Sequence, residues 1–325
     1  MVFETIALSV ITVLLLLLTL SGCAPLVSPL QKEAATLVPG TDPVLPEAQA
    51  PASLSVKETA VLYFRYMDEP YLASEIRQVT HSPSKPFELS LLTELISGPG
   101  SHSSDLTALF PPGTRVLSTV SQGRTLFVTL SREIMDAYPD DASVSDAERR
   151  LRRRLCMQSL VATVTENCGV DRVQILVEQE ESGGASLRLQ ARYFLEEDAS
   201  GLVGPLTREE SLLLTPPNTA RVLLSLWQDR DWQRLYLYIA RRDPDTGAER
   251  AGYRDFVTAM ENLPMLADFS VEGGSVNDER ATLTLSASVL EEGRLLSREG
   301  CVLRLCREDG LWRATVPMLT GWMEE

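Results

Sequence analysis

An apolar run from Thr5 to Leu20, with five consecutive leucines at 14–18, ends at Ser21-Gly22-Cys23. Membrane-crossing helices need about 20 apolar residues, so this run is short for a span. It has the length of the apolar core of a secretory signal. Residues 1–22 are therefore expected to be a removable leader, and any folded body must come from residues beyond it. The next stretch, 23–56, carries Pro25, Pro29, Pro39, Pro43, Pro46 and Pro51 and shows little apolar periodicity. It is expected to be a semi-extended tether, reaching at most about 3.1 Å per residue. A packed core is thereby confined to residues from about 57 onward.

Leu20-Ser21-Gly22-Cys23 resembles a bacterial lipoprotein box. The small residues Ser21 and Gly22 give a peptidase access to the backbone, and the Cys23 thiol is the group that takes diacylglycerol. The resemblance implies that Cys23 becomes the first residue of the mature chain, acylated (palmitate being one such chain) and held at the outer, extracytoplasmic face of the cell membrane. Each buried acyl methylene contributes roughly 0.8 kcal/mol, so two long chains give a stable anchor where one is marginal. The start Met1-Val2-Phe3-Glu4 departs from the usual signal pattern in having no Lys or Arg.

The net charge is −15, and removing Glu4 with the leader leaves −14. A surface this acidic repels phosphates, so nucleic acid is not an expected partner. The hydrophobic fraction of 44% supports packed cores rather than disorder. His81 and His102 are the two histidines, and none follows in the second half. A histidine-based metal site or a Ser-His-Asp triad therefore has little material, and no metal, cofactor or catalytic group is expected.

From residue 58 the pattern turns to alternating strands and helices. Thr59–Arg65 reads as a strand and Glu75–Thr80 as a weaker one. Phe87, Leu91, Leu92, Leu95 and Ile96 recur at helical spacing, with Pro86 before them and Gly98-Pro99-Gly100 after. Arg115–Val120 and Thr125–Leu130 flank Gln122-Gly123 as a hairpin. Ser145 with Glu148 three residues later is a capping-box signature for a helix running to about Glu166. Val170–Val177 reads as a strand, and Ser186–Phe194 alternates and is expected to pair with it across Gly183-Gly184.

This order resembles the GerMN domain of sporulation and spore-germination lipoproteins. The residues that carry the resemblance are Val61-Leu62-Tyr63-Phe64, Glu88-Leu89 through Ile96-Ser97-Gly98-Pro99, Phe110-Pro111-Pro112-Gly113-Thr114-Arg115-Val116-Leu117, Val128-Thr129-Leu130-Ser131-Arg132-Glu133 and Val173–Val177. Thr129, where the family often has Asp, and Glu178-Gln179, in place of a Gly ending, depart from it. The resemblance implies a small mixed sheet with packed helices, no known catalysis, and a role in assembly or signalling outside the membrane.

Residues 196–217, ending in Thr215-Pro216-Pro217, read as a linker between a first domain at 57–195 and a second at 218–325. In the second, Asn218 is expected to cap a helix bearing Val222, Leu223, Leu226 and Trp227. Asp231-Trp232 opens another, and Tyr253, Phe256, Val257 and Met260 mark a third. Strands are expected at Phe269–Gly273, Ala281–Leu290, Gly300–Arg307 and Leu311–Val316, with Asp309-Gly310 as a hairpin turn. Helices followed by an antiparallel sheet, closing on Glu308-Asp309-Gly310-Leu311-Trp312-Arg313, resemble the nuclear transport factor 2-like cone. The whole is thus an α/β (α+β) chain.

Two groups of side chains stand out as candidate sites. Arg149, Arg150, Arg152, Arg153 and Arg154 form the one dense basic run. A solvated helix face is the ordinary reading of such a run. Five cations near a helix start also oppose the helix dipole, which makes an anionic partner worth testing. Trp227, Trp232, Tyr236, Tyr253 and Trp312 either form core or line a pocket in the cone. Beyond Cys23, the thiols of Cys156, Cys168, Cys301 and Cys306 are expected to be mostly free and partly buried, since Cys301 and Cys306 lie about 16 Å apart on one strand. The expected function is that of a lipid-anchored, non-enzymatic component with a protein partner in the extracytoplasmic space. The alternative is a ligand-binding lipoprotein, or a sensor-kinase accessory, that uses the C-terminal pocket.

Overall fold

The computed structural model describes residues 55–179, 186–194 and 200–323. Cys23, its preceding Leu20-Ser21-Gly22, nearly all of the tether and the Gly183-Gly184 turn lie outside these residues. Among the described residues no helix is long and apolar enough to cross a membrane. Residues 51–325 form one compact unit, and the described residues within it have mixed α/β structure with three small sheets.

Strand β1 (Val56–Tyr66) pairs antiparallel with β2 (Leu72–His81) along nearly its whole length, and at its end with the two-residue β3 (Leu106–Thr107). Its last five residues are buried, because both faces are covered. Helix α1 (Phe87–Ile96) follows Pro86, whose fixed φ suits a helix entry, and sinks Leu91, Leu92 and Leu95. The second sheet runs β4-β5-β6-β7, from Val116–Gln122, Thr125–Leu130, Arg172–Glu178 and Ser186–Arg188. β4 and β5 make the expected hairpin, whereas β5 and β6 are parallel. Parallel neighbours need a long crossover, and helix α2 (Asp146–Asn167) supplies it. The Ser145 side chain accepts a hydrogen bond from the Glu148 amide, as the capping signature requires.

Helix α2 is the core of this half. Leu155 through Val164 are all buried, so the helix is enclosed on every side. Its polar side chains complete β1, whose inner edge has no strand partner at Val61 and Tyr63. Thr163 Oγ1 accepts from the Tyr63 amide at 3.1 Å, and Ser159 Oγ donates to the Tyr63 carbonyl at 2.6 Å. Asn167 accepts from the Val61 amide at 3.0 Å and donates to its carbonyl at 2.8 Å. A buried strand edge left unpaired here would cost about 1–3 kcal/mol per group.

The alternating segment from Ser186 departs from expectation. Only Ser186–Arg188 pairs with β6, after which Ala191–Tyr193 forms a 3-10 turn. The turn lets the Tyr193 hydroxyl donate to the Ile134 carbonyl from a buried position. Residues 200–215 pack closely on the body. Leu202 bridges to Gln190, Leu206 to Val173 and Leu213 to Leu72, which ties the segment to both sheets.

Helix α3 (Pro216–Gln228) begins three residues earlier than the sequence indicates, with Thr215 in place of Asn218 at its N-cap position. Pro216 and Pro217 occupy the first turn, where a missing N–H is harmless. Asn218 instead donates to the Glu210 and Leu213 carbonyls. Helix α4 (Trp232–Leu237) is capped by Asp231, which accepts from the Arg234 amide at 3.2 Å. Helix α5 (Tyr253–Glu261) precedes the third sheet, whose four strands are wholly antiparallel with sequential neighbours paired.

That sheet is built from β8 (Met265–Val276), β9 (Arg280–Glu291), β10 (Arg294–Glu308) and β11 (Leu311–Arg313), with a short helix α6 (Val316–Thr320) after it. β10 starts six residues before the expected Gly300. Glu292 and Gly293, at φ 49° and 77°, form a tight turn that carries the hairpin further out. Asp309-Gly310, at φ 51° and 82°, turns β10 into β11 as expected. A bulge between Val271 and Gly274 brings the Gly274 backbone against β9, where a Cβ would meet the Thr282 oxygen at 2.1 Å.

Candidate functional site

Nearly all buried apolar side chains of the described residues belong to one continuous core, and a set of charges runs through it. Asp105, at 7% exposure, receives two hydrogen bonds from Arg241 at 2.6 and 2.7 Å and one from Arg313. Arg313 is 1% exposed, and its guanidinium also donates to the Tyr66 hydroxyl and the Leu237 carbonyl. Glu69 is gripped by Arg234 at 2.9 and 2.6 Å and by the Tyr238 hydroxyl at 3.1 Å. Tyr66 and Tyr238 pack with ring centroids 5.1 Å apart, and burial raises the pKa of both phenols. Asp105, Glu69 and Tyr66 come from the first half and their partners from the second. Buried charges persist only when paired, so this network fixes how the halves meet.

The basic run does not present five free cations. Arg149 pairs with Asp146 and donates to the Asp141 and Val144 carbonyls. Arg152 pairs with Asp140 at 2.6 Å and lies over the Tyr138 ring. Arg154 pairs with Glu209. Asp146 sits on the helix itself, three residues before Arg149, but Asp140 and Glu209 come from the preceding turn and from the segment after residue 200, which no periodicity along the helix could reveal. Arg150 is half-buried on the same helix.

Arg153 is different. Its guanidinium lies 4.8 Å from the Tyr193 ring centroid, and its Nε is buried without a hydrogen-bond partner. It joins Arg132, Arg188 and Arg192 in the lining of a cleft of about 730 Å³. Among the described residues Glu178 is the one acidic side chain in that lining, and Met135, Val177, Leu187, Leu189 and Tyr193 make its apolar wall. Arg132 and Met135 immediately follow β5, and Val177 to Gln179 end β6. The cleft therefore opens at the carboxyl ends of the one parallel strand pair among the described residues. Ligands in open α/β sheets characteristically bind at such ends. Sequence patterning marks the arginine run but not this site, because Arg132, Arg188 and Arg192 are scattered along the chain.

The five aromatic candidates do not converge. Trp227 is 2% exposed and packs on Trp322 at 6.0 Å, as core. Trp232 is also buried, and Trp312 lies beneath Arg307. Tyr236 and Tyr253 meet at 5.4 Å, with Phe256 beside Tyr236 and Arg250 over its ring at 4.1 Å. Of the five, only Tyr236 lines a second cleft of about 330 Å³, walled by Ile239, Phe256, Val316 and Pro317. Trp322 fills the space beside Trp227.

Among the described residues no group of three or more His, Cys, Asp or Glu side chains is placed to hold a metal ion. His81 bonds Glu58 at 2.8 Å. Cys156, Cys168 and Cys306 are free thiols and Cys301 is buried. Burial pushes Cys168 up to about 12 and Cys306 up to about 11, and raises Cys156 as well. Thiols held in that range are protonated and poor nucleophiles at neutral pH.

Residues 61–183 match the family model Germane, described as sporulation and spore germination. The match spans less than half of the 325-residue chain. Comparison with curated proteins gives no match. Among solved structures, the tandem GerMN domains of the sporulation protein GerM from Bacillus subtilis align at 16% identity. That alignment covers 48% of this chain and 48% of that chain, with a TM-score of 0.33, so the chain spans about half the length of that relative. The first GerMN domain of GerM aligns at 18% identity over 40% of this chain and 93% of that one, TM-score 0.29. A chain from Clostridium perfringens described as a candidate lipoprotein aligns at 17% identity over 49% of this chain and 90% of that one, TM-score 0.27.

Proposed function

We propose that this protein is a lipid-anchored, extracytoplasmic component of sporulation or spore germination that acts by binding other proteins and catalyses no reaction. The observation that carries the reading is the match of residues 61–183 to the sporulation and germination family. Leu20-Ser21-Gly22-Cys23 supports the anchor, with the diacylglyceryl chains of Cys23 in the bilayer and 24–56 as the spacer. The buried charges joining the halves support an assembly role, since a partner bound to either half is held rigidly to the other. The helices-then-sheet order of 216–323 supports a nuclear transport factor 2-like cone for the second half.

A Cys23→Ser variant tests the anchor. The wild-type chain is expected in the membrane fraction and the variant in the soluble extracytoplasmic fraction. A variant that stays tightly in the membrane would mean that the apolar run is retained as an uncleaved helix.

The 330 Å³ cleft beside Tyr236 favours a second reading, capture of a small apolar ligand in service of a sensor. Native mass spectrometry of the full chain distinguishes it, by a bound mass that is lost on Phe256→Arg.

A further inference from the structure

We infer that the arginine-lined cleft at the ends of β5 and β6 is the docking site for an acidic peptide segment of a partner protein, one in which Asp or Glu alternates with apolar residues. The inference rests on the proposed interaction role and identifies the surface that serves it.

Charge selects the ligand first. Among the described residues the cleft gathers Arg153, Arg188 and Arg192, with Arg132 beside them, around Glu178, in a chain whose net charge is −15. A local reversal of sign focuses anions towards it. Arg188 and Arg192 are exposed and make no ion pair among the described residues, in contrast to Arg149, Arg152 and Arg154. Arg153 is positioned over Tyr193 with its Nε buried and unpartnered. Guanidinium forks match carboxylates in a two-point geometry, and a partly enclosed site strengthens each such pair.

Shape and polarity select within anions. A volume of about 730 Å³ is in the range of pockets that hold sizeable organic ligands, and inorganic phosphate would fill little of it. Leu187 at 55% exposure and Met135 at 43% sit beside the cations, and a bare ion would leave them in water. Leu187-Arg188-Leu189 alternates apolar and cationic residues along a sheet edge, the complement of an extended acidic–apolar segment. A membrane surface is a poorer fit, because headgroups meet cations on a convex patch and these line a recess.

The test is titration of the full chain, in neutral detergent, with a labelled acetyl-Glu-Leu-Glu-Leu-Glu-amide peptide and its glutamine counterpart, and, after removal of the detergent, with phosphatidylglycerol vesicles. The acidic peptide is expected to bind at least about tenfold tighter than the glutamine peptide, and to weaken as salt rises. Arg188→Ala with Arg192→Ala should remove at least about tenfold of that affinity, the Lys pair should restore part of it, and Arg150→Ala should change nothing. Unfolding midpoints equal to wild type establish that the variants are folded. The inference is overturned by absence of acidic-peptide binding, by equal affinity for both peptides, by indifference to the double Ala change, or by vesicles being the arginine-dependent ligand. Any of these with Cys23-dependent membrane association intact removes the cleft and leaves the proposed role standing.

Discussion

Asp105 is the residue on which the two halves most depend. Removing its carboxylate leaves the buried Arg313 with only the Glu308 carboxylate, 3.2 Å from its Nε, as counter-charge among the described residues, so Asp105→Ala is expected to cost about 1–3 kcal/mol. Arg241 is 43% exposed at its side chain, and Arg241→Ala should cost under about 1 kcal/mol in the same urea titration. Pairing Asp105→Leu with Arg313→Met should recover part of the loss, since the two most buried charges then leave together and the more exposed Arg241 and Glu308 remain. Buried thiols act at a different pH. Cys306 and Cys168 ionise near 9.0 when exposed and are raised to about 11 and about 12 by burial. Folded protein thus retains protons that unfolded chain releases, and stability must fall as pH rises above about 9. The urea midpoint is expected to be flat from neutral pH to about 9 and to drop beyond it, and a midpoint that rises there would contradict the assignment.

At the scale of elements, helix α2 does two jobs, and only one was legible in the sequence. Ser145 and Glu148 announce its start, and its spacing announces its length. That Ser159, Thr163 and Asn167 serve as the missing strand beside β1 was not legible, because Tyr63 and Val61 lie about a hundred residues away. Asn167→Leu strands both the Val61 amide and its carbonyl, each worth about 1–3 kcal/mol, and is expected to cost about 2–6 kcal/mol. Hydrogen exchange should quicken at Val61 before it quickens at Leu126 in β5, and equal protection at Val61 in variant and wild type would refute the role. The same limit explains the basic run. Local pattern shows five arginines, but Asp140 and Glu209 reach them only through the fold. Turns fared better, since Asp309-Gly310 is decided by two adjacent residues. The aromatic pocket fared worse, since Trp322 reaches Trp227 from the far end of the chain.

For the whole molecule, the buried charges make a distinctive demand. All four tryptophans lie in the second half and Asp105 lies in the first. Tryptophan fluorescence should nonetheless report the full Asp105→Ala destabilisation, with a single unfolding transition. An unmoved fluorescence midpoint would mean that the halves are energetically separate. The proposed role is tested most directly by counting heat-resistant spores, and the fraction of them that germinate, in the host with the gene deleted and then restored. Deletion is expected to lower one of these counts. The wild-type gene should restore it, and the Cys23→Ser allele should not, although its product folds. Spore yield and germination that are unchanged by the deletion would contradict the proposed role.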